Sequence, residues 1–201
     1  IEADYKVFLR KGLQKHILGR TALEYAKLKL NTHVICLFPI AHTRMDEVMN
    51  IIEKHSNIFY TSSEGLTAPG QIGLIKEIYL SDGWVSEKGI RKKCQQCFRG
   101  MAQVTFVLID AKNLETVKEM KKEIRALFKV GNHSVHINDY HEDTIRIAKT
   151  VFNRNSINFL NNRKSVSFPN YKKLMANMRP DDNTIITGST VLSLYGLRDC
   201  K

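Results

Sequence analysis

Apolar residues recur every three or four positions through Val7, Phe8, Leu13, Ile17, Leu18, Leu23, Tyr25, Ala26 and Leu28, with Lys and Arg between them. That spacing predicts a helix over residues 5–30, with Gly12 and Gly19 as points of division. The run 32–38 is β-branched and aromatic and stops at Pro39, which reads as a buried strand. Thr43 is placed to cap a following helix, with Asp46 and Glu47 in its first turn and Met45, Val48, Met49, Ile51 and Ile52 as its apolar stripe. Residues 57–61 read as a second strand, 62–70 as a loop rich in Gly, Pro and Ser, and 71–79 as a helix. The clearest strand is 103–109 and the clearest helix 113–128, where Leu114, Val117, Met120, Ile124 and Leu127 keep helical spacing. A short strand at 134–137 precedes a capping box, Asp139 to Glu142, and a helix over 144–152.

This order of elements predicts an α/β or α+β fold, a mixed sheet covered by helices, with a short C-terminal strand-turn-helix unit. Residues 153–170 are polar and end at Pro169, so they read as a linker. The expected organisation is one α/β domain over 1–165, with a candidate internal division near 85–100. Residues 166–201 would begin a second, truncated unit.

Composition narrows the class. Of 201 residues 43% are hydrophobic and only 4 are Pro, enough apolar content for a packed core and too little Pro for a disordered chain. The longest apolar run, 34–41, is far shorter than the roughly 20 residues of a membrane span, so no transmembrane helix is expected. Four cysteines suit a reducing compartment, and the expected location is the cytoplasm. Lys and Arg number 31 against 20 Asp and Glu, a net charge of +11 that concentrates anionic partners such as nucleotides, phosphorylated sugars, RNA or DNA at the surface.

The sharpest motif lies near the C-terminus, where an apolar run, Thr184 to Thr187, enters Gly188-Ser189 and then the helix-compatible Thr190 to Leu197, followed by Arg198 and Asp199. Free backbone N–H groups at such a helix start attract phosphate, and Gly188 lets the backbone approach it. This segment, 184–201, resembles the first half of the signature of polymerase-beta-like nucleotidyltransferases. The resemblance implies that Gly188 and Ser189 cradle a triphosphate, that Arg198 neutralises charge, and that Asp199 binds magnesium. The family's second acidic residue is replaced by Lys201, so the metal pair is incomplete within this sequence.

Other candidates stand on their residue types. His136 sits at a strand end beside a helix start, suited to acid/base work, to phosphate contact, or to an ordinary solvated strand end. Cys94 and Cys97 have the spacing of half a zinc site without the other half. Arg91, Lys92, Lys93 and Arg99, with Phe98 among them, form either a nucleic-acid contact or the solvated face of a helix. His42, Thr43 and Arg44, directly after a strand end, make a chemically sensible anion site. No P-loop, dinucleotide, serine-hydrolase or zincin motif is present. The reading that absorbs most of these features is a magnesium-dependent transferase acting on a nucleotide or phosphorylated sugar. Asp199 and His136 are its catalytic candidates, and Gly188, Ser189, Arg198, His42, Thr43 and Arg44 its phosphate contacts. The alternative is a noncatalytic basic module that binds nucleic acid through Arg91, Lys92, Lys93 and Arg99.

Overall fold

The structure is a computed structural model that describes residues 2–162 apart from Ser81 and Trp84, with first-helix side chains described at 14, 15 and from 17 onward. Gly188, Ser189, Arg198, Asp199 and Cys200 lie outside the described residues. The chain divides into two compact units, and the first, 1–161, is the one described below.

Helix α1 spans Glu2–Leu28, β1 Thr32–Leu37, α2 Met45–His55, β2 Ser56–Gly65, α3 Ala68–Ile78, α4 Glu87–Phe98, β3 Gln103–Ala111, α5 Leu114–Phe128, β4 Val135–Ile137, α6 His141–Val151 and α7 Arg154–Asn162. The four strands form one sheet in the order β2-β3-β1-β4, and every neighbouring pair is antiparallel. The fold is therefore a mixed α/β one, in which two β-α-β units, β1-α2-β2 and β3-α5-β4, interleave their strands.

Alternation along the central strands separates two cores. Ile35 and Leu37 of β1, with Val107 and Ile109 of β3, meet Val48 and Ile52 of α2 and Val117, Met120 and Ile124 of α5. Val34, Cys36 and Phe38, with Phe106 and Leu108, face the opposite layer of α1, α3, α4, α6 and α7. Both central strands thus bury both faces, which is why each reads as a nearly continuous apolar run.

Several expectations are revised. Helix α1 runs unbroken through Gly12 and Gly19. Gly19 is instead a point of contact, because a Cβ there would collide with the Phe152 carbonyl oxygen at the end of α6. An alanine at an exposed helical glycine gains up to about 1 kcal/mol of helix propensity. Against backbone it forces α1 away from α6, a distortion costing about 1–3 kcal/mol. The Gly19→Ala variant is therefore expected to lower the denaturant midpoint, and a raised midpoint would contradict the close approach.

Strand β2 continues through residues 62–65, which the sequence reads as loop. A bulge between Ile58 and Tyr60 inserts one residue, so Ile58 packs on one core and Tyr60 on the other despite their even spacing. Thr43 does not cap α2: residues 39–44 form a 3-10 turn, and the Thr43 hydroxyl donates to the Ile40 carbonyl at 2.8 Å. Nor does a capping box start α6, whose N-cap is Tyr140 without a side-chain cap bond.

Residues 85–100 fall inside the first unit, and α4 contributes Ile90, Cys94, Cys97 and Phe98 to the same core as β1 and β3. The expected linker at 153–170 begins as helix α7, with Ile157 and Leu160 buried. Asn161 anchors it: its Oδ1 accepts from Thr67 N at 2.9 Å and its Nδ2 donates to Gly65 O at 2.9 Å.

Candidate functional site

Strand β4 is an edge strand of three residues, and a cavity of about 600 Å³ opens along it. Its walls come from α4 (Gly89, Lys92, Lys93, Gln96), α5 (Lys121, Arg125) and the end of α3 (Ile78, Tyr79, with Asp82 just beyond). The strand and the turn after it supply His136 to Tyr140. Small-molecule sites commonly enclose about 300–1,000 Å³.

The turn owes its shape to Asn138, which is buried. Its Oδ1 accepts from Val34 N at 2.7 Å, and its Nδ2 donates to Tyr140 O at 2.8 Å and Thr144 Oγ1 at 2.6 Å. Thr144 Oγ1 donates in turn to Thr32 O at 2.6 Å, and His33 Nδ1 donates to Asn138 O at 2.9 Å. This buried network ties the start of α6 to β1 and fixes the backbone of Tyr140, whose side chain lines the cavity and is 69% exposed.

Charge at the cavity is lopsided. Lys121 is paired with Asp139 at 2.8 Å, and Asp143 with Arg146 at 2.6 Å. Lys92, Lys93 and Arg125 lie in neither of these ion pairs, and the Asp82 and Asp139 carboxylates of the same cavity offset Lys93 and Arg125 only in part. Lys93 is held by the Asn132 carbonyl at 2.9 Å and lies 5.3 Å from the centre of the Tyr79 ring. Burial lowers the pKa of both Lys93 and Arg125, and Arg125 Nε is buried without a hydrogen-bond partner among the described residues. A half-buried cation whose counter-charge falls short of its desolvation is costly, and an anion in the cavity offsets that cost.

His136 packs edge-on against Tyr79, with ring centres 4.7 Å apart. Its Nε2 is buried without a partner among the described residues. Burial, reinforced by Lys121, Lys93 and Arg125 and opposed by Asp139, pushes its pKa down to about 3. The imidazole is therefore neutral at pH 7. The unfolded histidine titrates near 6.5, so between about 6.5 and 3 the unfolded chain binds the additional proton. Stability contributed by His136 is complete above that window and falls as pH drops into it, by up to about 1.4 kcal/mol per pH unit. Urea midpoints measured from pH 7 to pH 4.5 are expected to decline less steeply in His136→Phe than in the wild type. Parallel profiles would show that His136 is solvated.

The cavity thus unites His136 with Lys92 and Lys93, which the sequence offers for different reasons. It adds Lys121, Arg125, Tyr79 and Tyr140, whose sequence signal was limited to two cations four residues apart bordering the apolar stripe of α5. Arg91 and Arg99 are exposed and stand outside the lining. His42, Thr43 and Arg44 are elsewhere and engaged. His42 Nε2 and Thr105 Oγ1 share a hydrogen bond at 3.0 Å, while Arg44 grips Glu47 and donates to Leu127 O at 2.9 Å. Cys36, Cys94 and Cys97 are free thiols, and burial raises the pKa of each, Cys97 to about 12. Among the described residues no three His, Cys, Asp or Glu side chains converge as a metal site. No described helix is long and apolar enough to cross a membrane.

No family model matches the chain, and no curated protein matches it. Among solved structures it is similar to a crystal form of the Aquifex aeolicus nucleoside diphosphate kinase, with 14% identity, a TM-score of 0.40, and coverage of 57% of this chain and 89% of that one.

Proposed function

We propose that this chain is a transferase acting on a nucleotide or phosphorylated sugar, and that its first unit holds the phosphate-bearing ligand in the cavity along β4. The observation that carries this reading is the convergence of Lys92, Lys93 and Arg125 on one concave site, where burial outweighs the offsetting carboxylates Asp82 and Asp139 and leaves the pKa of Lys93 and Arg125 lowered. Lys93 is already fixed by Asn132, so less side-chain entropy is lost when it meets an anion. Arg125 supplies a planar fork of donors suited to phosphate oxygens.

No cage of three or more His, Cys, Asp or Glu side chains forms among the described residues, although magnesium is commonly held by one or two carboxylates together with substrate phosphates. In the proposed transferase Asp199, as the resemblance of 184–201 implies, would hold magnesium, which would neutralise phosphate charge. The cavity residues bind and orient the anion. His136 lines the cavity as a neutral imidazole.

Thermal unfolding against ATP, glucose 1-phosphate and a short RNA, each with and without magnesium, tests the reading. A ligand that binds the folded state raises the midpoint by mass action. A shift with ATP or glucose 1-phosphate is expected. A shift confined to RNA and abolished by salt would replace the transferase with a polyanion-binding module.

A further inference from the structure

We infer that the ligand of the β4 cavity is a nucleotide, with its base stacked on Tyr140 and its phosphate held by Lys92, Lys93 and Arg125. This rests on the proposed phosphate-binding role of the same cavity and narrows its substrate class.

A phosphate alone leaves most of a cavity of about 600 Å³ unfilled, so the ligand has an organic part. The cavity offers that part a large aromatic face. Tyr140 lines it and is 69% exposed, while its backbone is clamped by Asn138 Nδ2 at 2.8 Å. A ring presented on a fixed backbone loses little freedom on stacking, and base–aromatic stacking tolerates any base because every base has a π-face. Gln96, half-buried on α4, adds a side-chain amide that can donate and accept at a base edge. A sugar phosphate would use the cations and leave the Tyr140 ring in water.

Calorimetric titration of the whole chain with inorganic phosphate, ribose 5-phosphate, AMP and UMP at low salt tests the inference. AMP and UMP are expected to bind at least about fivefold more tightly than ribose 5-phosphate, the lower end of what one stacked base contributes. The gap should close in Tyr140→Ala, persist in Tyr140→Phe, and ribose 5-phosphate should bind both variants like the wild type. Because Tyr140 is exposed, neither change disturbs the core. Equal binding of ribose 5-phosphate and the nucleotides, or a gap that survives Tyr140→Ala, overturns the inference and leaves the phosphate site standing. Failure of all four probes to bind the folded protein overturns both.

Discussion

Arg125→Met, combined with Lys93→Gln, is expected to weaken nucleotide binding by about 100-fold or more while leaving the protein at least as stable as the wild type. Each cation lost removes charge-assisted hydrogen bonds worth about 1.5–3 kcal/mol to the bound anion. One such loss is about 10-fold to 150-fold in affinity. The free protein carries the opposite sign. Burial lowers the pKa of both groups by more than Asp82 and Asp139 raise it, so each charge opposes folding until an anion arrives. A methionine keeps most of the arginine's apolar stem and removes the charge. If that relieves about 1 kcal/mol, the midpoint rises by about 2–4 °C in a protein of this size. Binding down and midpoint up together mark residues retained for a ligand. Loss of both would mean that Lys93 and Arg125 are structural.

Asn138→Ala is expected to destabilise the first unit by about 3 kcal/mol. The substitution leaves Val34 N, inside the sheet, without the acceptor it has at 2.7 Å and removes the shortest of the hydrogen bonds to the Tyr140 carbonyl, which keeps its bond from Thr144 N at 3.1 Å. The contrasting variant Thr144→Val removes the Oγ1 that accepts from Asn138 Nδ2 and donates to Thr32 O but leaves Val34 N paired with Asn138 Oδ1, and it should cost less. Equilibrium urea denaturation of both variants gives the comparison. Nucleotide affinity in Asn138→Ala should fall as well, since Tyr140 is no longer presented on a fixed turn. A cost below about 0.5 kcal/mol, the range of an ordinary surface change, would show that solvent replaces the network.

The parts of the fold legible in the sequence are those whose pattern is generated locally. Strands β1 and β3 are apolar on both faces because helices cover both, and α5 repeats its stripe four times. Strand β2 was cut short because the bulge near Phe59 breaks its period, and residues 62–65 carry the small polar side chains of a loop. Helix α7 is rich in asparagine and lost its helical reading, yet Asn161 is the residue that fastens it to the β2–α3 turn. At the site, His136, Lys92 and Lys93 were each visible, but not their meeting. That requires β4 to lie at the sheet edge with α4 on one side of it and α5 on the other, a consequence of strand order. Lys121 and Arg125 looked like any solvated helix face, and their meaning depends on what lies opposite. Gly188, Ser189, Arg198 and Asp199 lie outside the described residues and keep their standing as expectations.

The position of β4 also sets when the cavity can exist during folding. β1 pairs with β3 and β4, and its partners in β4 lie about a hundred residues further along the chain. Closing so large a loop costs entropy before three residues of pairing return anything. With only three residues of pairing at the end of the sheet, β4 is expected to open before the strands that β1, β2 and β3 hold in longer register. A nucleotide that bridges α4, α5 and the turn after β4 would act on this step, slowing departure of the edge strand rather than speeding collapse of the core. Ligand supply would then govern the lifetime of the completed fold as well as the occupancy of its site.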